Sequence, residues 1–329
     1  MRTTDLKSGS LLEQALINGH FAVTAEIMPP KTPSASSITK KAELMRPFID
    51  AANVTDNQSA VVRLASMAAS RILIESGVEP VMQITCRDRN RMAIQSDVLG
   101  ASALGIRNIL CVTGDHQRFG NHPESKNVYD MDSIQLIRML KRMRDDGLFQ
   151  NDEPIANKKN GAPVPPEIFI GAAANPFAFP REYRPLRLIK KVNAGADFIQ
   201  TQPIFDIDVF RKWVERIIEL GIADRCHILA GLTPVRSVTA LQYMRDHVPG
   251  MHIPEPVIQR MQGASDMERE GFEMAIETCR EVIGMPGVHG LHIMAIGWEK
   301  IVPEIITALG LTPFRNPAGT DIDGKKDPT

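Results

Sequence analysis

Glu26 is the residue whose setting most invites chemistry. It sits in the apolar run FAVTAEI (21–27) and is followed by Met28, Pro29 and Pro30, which stiffen the backbone beyond it. A carboxyl in that setting is partly desolvated and its pKa should rise. An acid that keeps its proton near neutrality can serve as a general acid. The competing reading is an ordinary carboxylate paired with Lys31 or Arg87. Other apolar runs also close on polar residues: Thr55, Asp56 and Asn57; Gln83 and Thr85; Thr113, Gly114 and Asp115; Asn175; Thr201 and Gln202; Thr233. The last run closes on Ala295, Ile296 and Gly297, with neither acid nor base. No Ser-His-Asp set and no acid cluster of metal-ligand spacing is present at these ends. Amides and hydroxyls in a ring suit the edges of a flat heterocycle such as a flavin, a pterin or a nucleobase.

A ring of this kind needs elements that end together. Eight β-rich runs recur, at 21–27, 52–57, 80–86, 107–113, 167–173, 197–202, 226–232 and 288–296. Most are continuously apolar, as strands buried on both faces are. Amphipathic stretches separate them: 34–50, with Ile38, Ala42, Met45 and Ile49 at helical spacing; 132–146, opening at Asp132 and closing at Gly147; and 206–220. Gly77, Gly105, Gly195 and Gly221 stand where helices should end before the next strand. Eight such pairs predict an α/β fold, a (β/α)8 TIM barrel with its site at the C-terminal ends of the strands. The rival, a doubly wound open sheet, needs a glycine-rich turn after its first strand. Met28-Pro29-Pro30-Lys31 stands there instead. The expected division is a helical extension over 1–20, with a short helix at 8–18 outside the barrel, the barrel over 21–314, and a disordered tail over 315–329. The polar stretch 145–166 reads as a long, mobile excursion.

Composition narrows the class. The 329 residues are 43% hydrophobic and 23% charged, with 38 Lys plus Arg against 39 Asp plus Glu, a net charge of −1. That balance argues against a nucleic-acid or membrane-surface binder. No apolar run approaches the roughly 20 residues of a membrane span, and the N-terminus has no signal-peptide core. Cys86, Cys111, Cys226 and Cys279 stand singly, which fits buried reduced thiols in a cytoplasmic protein rather than a metal knuckle. His116 and His122 share a loop without a third ligand, so no metal site is expected.

The motifs TAEIMPPKT, VTDN, QITCRD, LGIRNILCVTGD, VYDMDSIQLIRML, KKVNAGADFIQTQPIFD, AGLTPV and HGLHIMAIGWEKIVPEI together resemble the methylenetetrahydrofolate reductases, flavin-containing (β/α)8 barrels, from about residue 8 to 314. The resemblance implies FAD as cofactor and 5,10-methylenetetrahydrofolate as substrate. It implies that Glu26 protonates N10 of the folate, that Asp115 acts beside the flavin and the pterin, and that Gln202 binds the pterin, with Thr24 among the substrate contacts. Thr55, Asp56, Gln83, Thr113, Gly114, Tyr129, Ala174 and Lys191 fall to the cofactor. The family often has His where this chain has Gln83.

One segment departs from the common pattern. After the fifth run the NADH-using bacterial enzymes carry a Tyr-Pro-Glu-x-His-Pro type segment, whereas this chain reads GAAANPFAFP (171–180). The variant resembles reductases of anaerobic one-carbon pathways. Some of those take electrons from a cysteine-rich partner subunit with an iron–sulfur or zinc site. The donor therefore stays open between NAD(P)H and such a partner, and a homo-oligomer is admitted. The alternatives are a folate-binding subunit without chemistry and a methyltransferase; the latter commonly uses a zinc held by Cys or His.

Overall fold

The computed structural model describes residues 6–157, 161–248 and 250–314; the tail expected at 315–329 lies outside them. The chain opens with α1 (Leu11–Ile17), β1 (Ala22–Ile27), α2 (Ala35–Met45), β2 (Ala51–Val54), α3 (Ser66–Glu75), β3 (Pro80–Thr85), α4 (Arg91–Ala103) and β4 (Asn108–Val112). It continues with α5 (Ser133–Lys141), β5 (Phe169–Ala174), α6 (Tyr183–Ala194), β6 (Phe198–Pro203), α7 (Ile207–Glu219) and β7 (His227–Leu232). Helices α8 (Val238–His247), α9 (Glu255–Gly263) and α10 (Met267–Ile283), then β8 (Gly290–Ile293) and α11 (Ile301–Leu309), complete it. All strands are parallel, and β1 pairs with both β2 and β8, so the sheet closes into the expected eight-stranded barrel.

The two faces of each strand explain the near-continuous apolar runs. Outward residues such as Val23, Ala25, Ile27, Met82, Ile84, Ile170 and Ile199 pack under the helices in the main core. Inward residues at the strand starts form a second, smaller core: Ala22, Ala51, Val81, Leu110, Phe169, Phe198 and Leu229. The Phe169 and Phe198 rings stack there at 5.1 Å. Gly171 makes this possible, because a Cβ on it would lie 2.3 Å from the Phe198 ring. Leu12, Ala15 and Leu16 of α1 join the same cluster. The short N-terminal helix thus stands outside the ring of strands and seals its floor.

Local chemistry sets the helix ends. Asp132 caps α5 in a reciprocal capping box with Gln135. The helix then runs through one wide, π-type turn to Asp146 before Gly147 takes a left-handed φ of 64°. Gly77, Gly105, Gly195 and Gly221 all adopt positive φ after their helices. The repeat is broken between β7 and β8, where three helices replace one and carry their own cluster of Val235, Leu241, Ile253, Ile258 and Met261. In the excursion before β5, two isolated antiparallel bridges, Leu148 with Pro154 and Ala156 with Pro163, fold the chain back on itself. All four cysteines are buried and unpaired. No helix among the described residues is long and apolar enough to cross a membrane.

Candidate active site

Above the apolar floor the barrel interior turns polar. Gln200 of β6 donates to Thr24 Oγ1 of β1 at 3.3 Å and to Asn53 Oδ1 of β2 at 2.9 Å, and Asn53 Nδ2 donates back to Gln200. Thr24 Oγ1 also lies 3.0 Å from His292 Nδ1 of β8. Bonds between strands that are not neighbours can only cross the interior, so these four side chains form an inner layer. Burial drives the His292 pKa from 6.5 to about 3, keeping the ring neutral. The strand ends carry no histidine, as read from sequence, but this layer just beneath them does. Its amides lie inside apolar strands, the same signal that singled out Glu26.

Side chains alternate along a strand, so Glu26 stands one step above Thr24 on the same inner wall. It is 9% exposed. No ion pair forms to it among the described residues, which disposes of the Lys31 or Arg87 reading. Its one side-chain bond comes from Gln58 Nε2 at 3.3 Å. Burial pushes its pKa from 4.5 up to about 7, and the Gln58 bond opposes that only in part.

Gln58 lies in the β2–α3 connection, where Asn57, Ser59 and Ala60 all take left-handed φ values of 46°, 55° and 57°. Such residues cost about 1–3 kcal/mol each and persist only where surrounding contacts hold them. Arg87, 3% exposed, supplies one such hold: it donates to the Asn57 carbonyl at 3.3 Å and to the Asp115 carbonyl at 3.1 Å. It therefore ties the Gln58 loop to the Gly114-Asp115 turn. Gly114 takes a φ of +91°, and a Cβ there would meet Thr85 and Arg87 at 3.1 Å. Asp115 itself is exposed.

The residues expected to contact the cofactor, and Gln202, expected to bind the pterin, fall in different surroundings. Ala174, Lys191 and Gln202 line one cleft of about 180 Å³, together with Arg184, Arg187 and Trp213. Thr113 and Tyr129 line a second, of about 520 Å³, with Asp130, Met131 and Asp132. Tyr129 Oη donates to the Gly114 carbonyl at 3.2 Å, joining this cleft to the turn. Asp56 differs: its carboxylate accepts from Thr85 N at 2.9 Å and Arg89 Nη1 at 2.7 Å, so it braces β2 against β3. Thr55 is 1% exposed and its hydroxyl finds no partner among the described residues; nor does that of Thr233. The amides of Gln83 and Gln202 likewise make no hydrogen bond to protein among the described residues.

Lys191 donates to the Ala173 carbonyl at 2.6 Å. Burial, and then nearby Arg187, pull its pKa from 10.5 down to about 8. Arg187, four residues earlier on α6, was not singled out from the sequence, although the spacing puts both on one helix face. Trp213, whose buried indole N–H also lacks a partner, belongs to an amphipathic helix and gave no functional signal. In the divergent segment after β5, Asn175 Oδ1 accepts from Phe177 N and Ala178 N, and Asn175 Nδ2 donates to the Gly250 carbonyl. No group of three or more His, Cys, Asp or Glu among the described residues is arranged to hold a metal ion.

The family model for methylenetetrahydrofolate reductase matches residues 11–310. The chain belongs to the methylenetetrahydrofolate reductase family. Methylenetetrahydrofolate reductase 1 of Schizosaccharomyces pombe is 27% identical over 246 residues, covering 71% of this chain and 36% of the yeast protein. The 5,10-methylenetetrahydrofolate reductase of Pectobacterium carotovorum is 23% identical over 314 residues, covering 92% of this chain and 95% of that relative. The chain thus spans about a third of the yeast reductase and nearly the whole of the bacterial one. A solved Clostridium thermocellum structure, an uncharacterized protein that binds two copies of 5-methyl-5,6,7,8-tetrahydrofolic acid, superposes with a TM-score of 0.61 at 16% identity. It covers 91% of this chain and 97% of that one. At that identity the likeness is one of fold.

Proposed function

We propose that this chain is a flavin-dependent 5,10-methylenetetrahydrofolate reductase in which Glu26 is the general acid. The observation that carries the reading is Glu26 itself: buried, without an ion-pair partner among the described residues, and holding its proton to about pH 7 at the open end of the barrel. N10 of the folate is a weak base, and opening the five-membered ring needs a proton delivered there. A carboxylic acid of near-neutral pKa can give one up at working pH. Asp115 and Gln202 hold the pterin, and Thr24 supports the wall beneath it.

The residues at the mouth fit FAD. Buried hydroxyls on Thr55 and Thr233 and the Trp213 N–H, without partners among the described residues, offer donors and acceptors to a ring edge, as do the side-chain amides of Gln83 and Gln202. Lys191 and Arg187, with Arg184, give one cleft a cationic wall suited to a phosphate. Thr113, Gly114, Tyr129 and Ala174 complete the contacts. Bound there, reduced FAD would supply the hydride that converts the opened methylene carbon to a methyl group. The neutral His292 layer and the apolar floor below close the barrel's other end to water, so the proton of Glu26 faces the substrate side.

The test is direct. The purified chain is titrated with FAD, reduced anaerobically with dithionite, and mixed with methylenetetrahydrofolate. The flavin colour should return as 5-methyltetrahydrofolate forms. A chain that binds no FAD, or whose reduced flavin the folate leaves untouched, contradicts the reading. The same reduction tried with NADH, NADPH and a reduced low-potential dye identifies the donor; the departure at 171–180 favours a partner protein over a nicotinamide.

A further inference from the structure

We propose that Gln58 is the positioning residue of the proton donor: its amide N–H fixes Glu26 Oε1, so that Oε2 is the oxygen that carries the transferable proton. This rests on the reading of Glu26 as general acid and names the group that aims it.

Three observations converge on Gln58. Among the described residues it makes the one side-chain hydrogen bond that Glu26 receives, Nε2 to Oε1 at 3.3 Å. Its own Oε1 is buried without a partner, so no competing bond holds the amide the other way round, where its oxygen would face the carboxylate. Most telling is its backbone. Gln58 follows Asn57 and precedes Ser59 and Ala60, all three left-handed. The loop is held from three sides. In the connection after β1, the Pro30 and Pro29 carbonyls accept from Leu64 N at 2.9 Å and Arg63 Nη1 at 3.2 Å. Just past β3, Arg87 donates to the Asn57 carbonyl. In the connection after β4, Gly120 presses so close that a Cβ on it would lie 1.8 Å from the Ala60 carbonyl oxygen. Strain held this firmly is a device for placing a side chain.

The charged groups on the surrounding elements are engaged elsewhere. Asp56 pairs with Arg89, Asp88 with Arg87, and Lys41 with Glu299. Arg63 bonds the Pro29 carbonyl, His292 faces Thr24, and Lys31 is exposed. The Gln58 amide is therefore the polar group that tunes Glu26 against its burial. A protonated Glu26 can still donate to the Gln58 oxygen if the amide turns over. A bond to an ionised carboxylate is about twice as strong as one between neutral groups, so the net effect of Gln58 is to ease release of the proton.

The experiment is an infrared pH titration of the full chain, with the Glu26 carboxylic-acid stretch identified as the band missing from Glu26→Gln. Gln58→Met should raise the midpoint by about one pH unit and move the band to higher frequency. Gln58→Ala, where water can fill the gap, should show a smaller shift of the same sign and serves if the Met variant does not fold. In the FAD-loaded enzyme, the alkaline limb of folate-driven flavin reoxidation should follow the infrared midpoint. An unchanged midpoint and band in the Gln58 variants overturns the inference. A wild-type chain whose Glu26 responds to Gln58 as expected, but whose reduced flavin ignores the folate, overturns the reaction and leaves the contact standing.

Discussion

Glu79 and Glu26 are carboxylates buried at opposite ends of one barrel, 7% and 9% exposed, and their surroundings could hardly differ more. Glu79, at the floor, accepts from Leu11 N at 2.7 Å, Leu12 N at 2.9 Å and Asn108 Nδ2 at 2.9 Å. It pins the sealing helix to the strands. Asp197 nearby accepts from Ile170 N at 2.8 Å and pairs with Arg144 at 2.6 Å and with Lys7. Glu13 gathers Ser8 and Gly9 in the same way. At the mouth, among the described residues, Glu26 has one long side-chain bond, and the hydroxyls of Thr55 and Thr233 have none. Burial without partners is costly, so the same residue type serves stability where it is bonded and, in the function proposed, chemistry where it is left wanting.

The contrast is broken most forcefully at the floor. Arg144→Met leaves Asp197 with only the half-exposed Lys7 as its ion-pair partner and should lower the free energy of unfolding by up to about 3 kcal/mol, read from urea denaturation. A loss under 1 kcal/mol would mean that floor pairs matter no more than surface ones. At the mouth the sign reverses. The Glu26 pKa is raised above its unfolded value, from 4.5 to about 7. Its contribution is therefore fully present below about pH 4.5, lost as pH rises to about 7, and level beyond. Glu26→Gln should remove that loss, leaving the variant more stable than wild type above pH 7 by up to roughly 3 kcal/mol. Parallel melting curves at pH 5 and 8 check it; equal differences at both would refute the raised pKa.

A smaller effect sharpens the account of the cofactor wall. Lys191→Met should weaken FAD binding by roughly ten- to a hundredfold. Because Lys191 loses its proton near pH 8, wild-type affinity should also fall as pH rises through that value, and the variant should lack this dependence. Equal affinities across pH in both proteins would move the phosphate elsewhere.

Much of this was legible in the residues. The barrel followed from apolar runs punctuated by glycine, since parallel strands buried on both faces leave that trace. Glu26 was legible because an acid inside such a run has few benign explanations. Other parts left weaker marks. Gln58 acts through a left-handed loop held by distant contacts, and nothing in Asn57-Gln58-Ser59-Ala60 announces it. Arg87 spans two loops that only the closed barrel brings together. The three helices before β8 carry ordinary amphipathic patterns, so their count, not their nature, escaped the reading. The bonds of Asp56 to Thr85 and Arg89 likewise join segments that lie far apart along the chain.

Single-turnover kinetics test most directly whether Glu26 delivers the proton that opens the folate ring. FAD-loaded Glu26→Gln, reduced anaerobically and mixed with methylenetetrahydrofolate, should keep its flavin spectrum and its reduction by dithionite. Its reoxidation by the folate should slow by roughly 10²–10⁴-fold. Reoxidation at the wild-type rate would contradict the account.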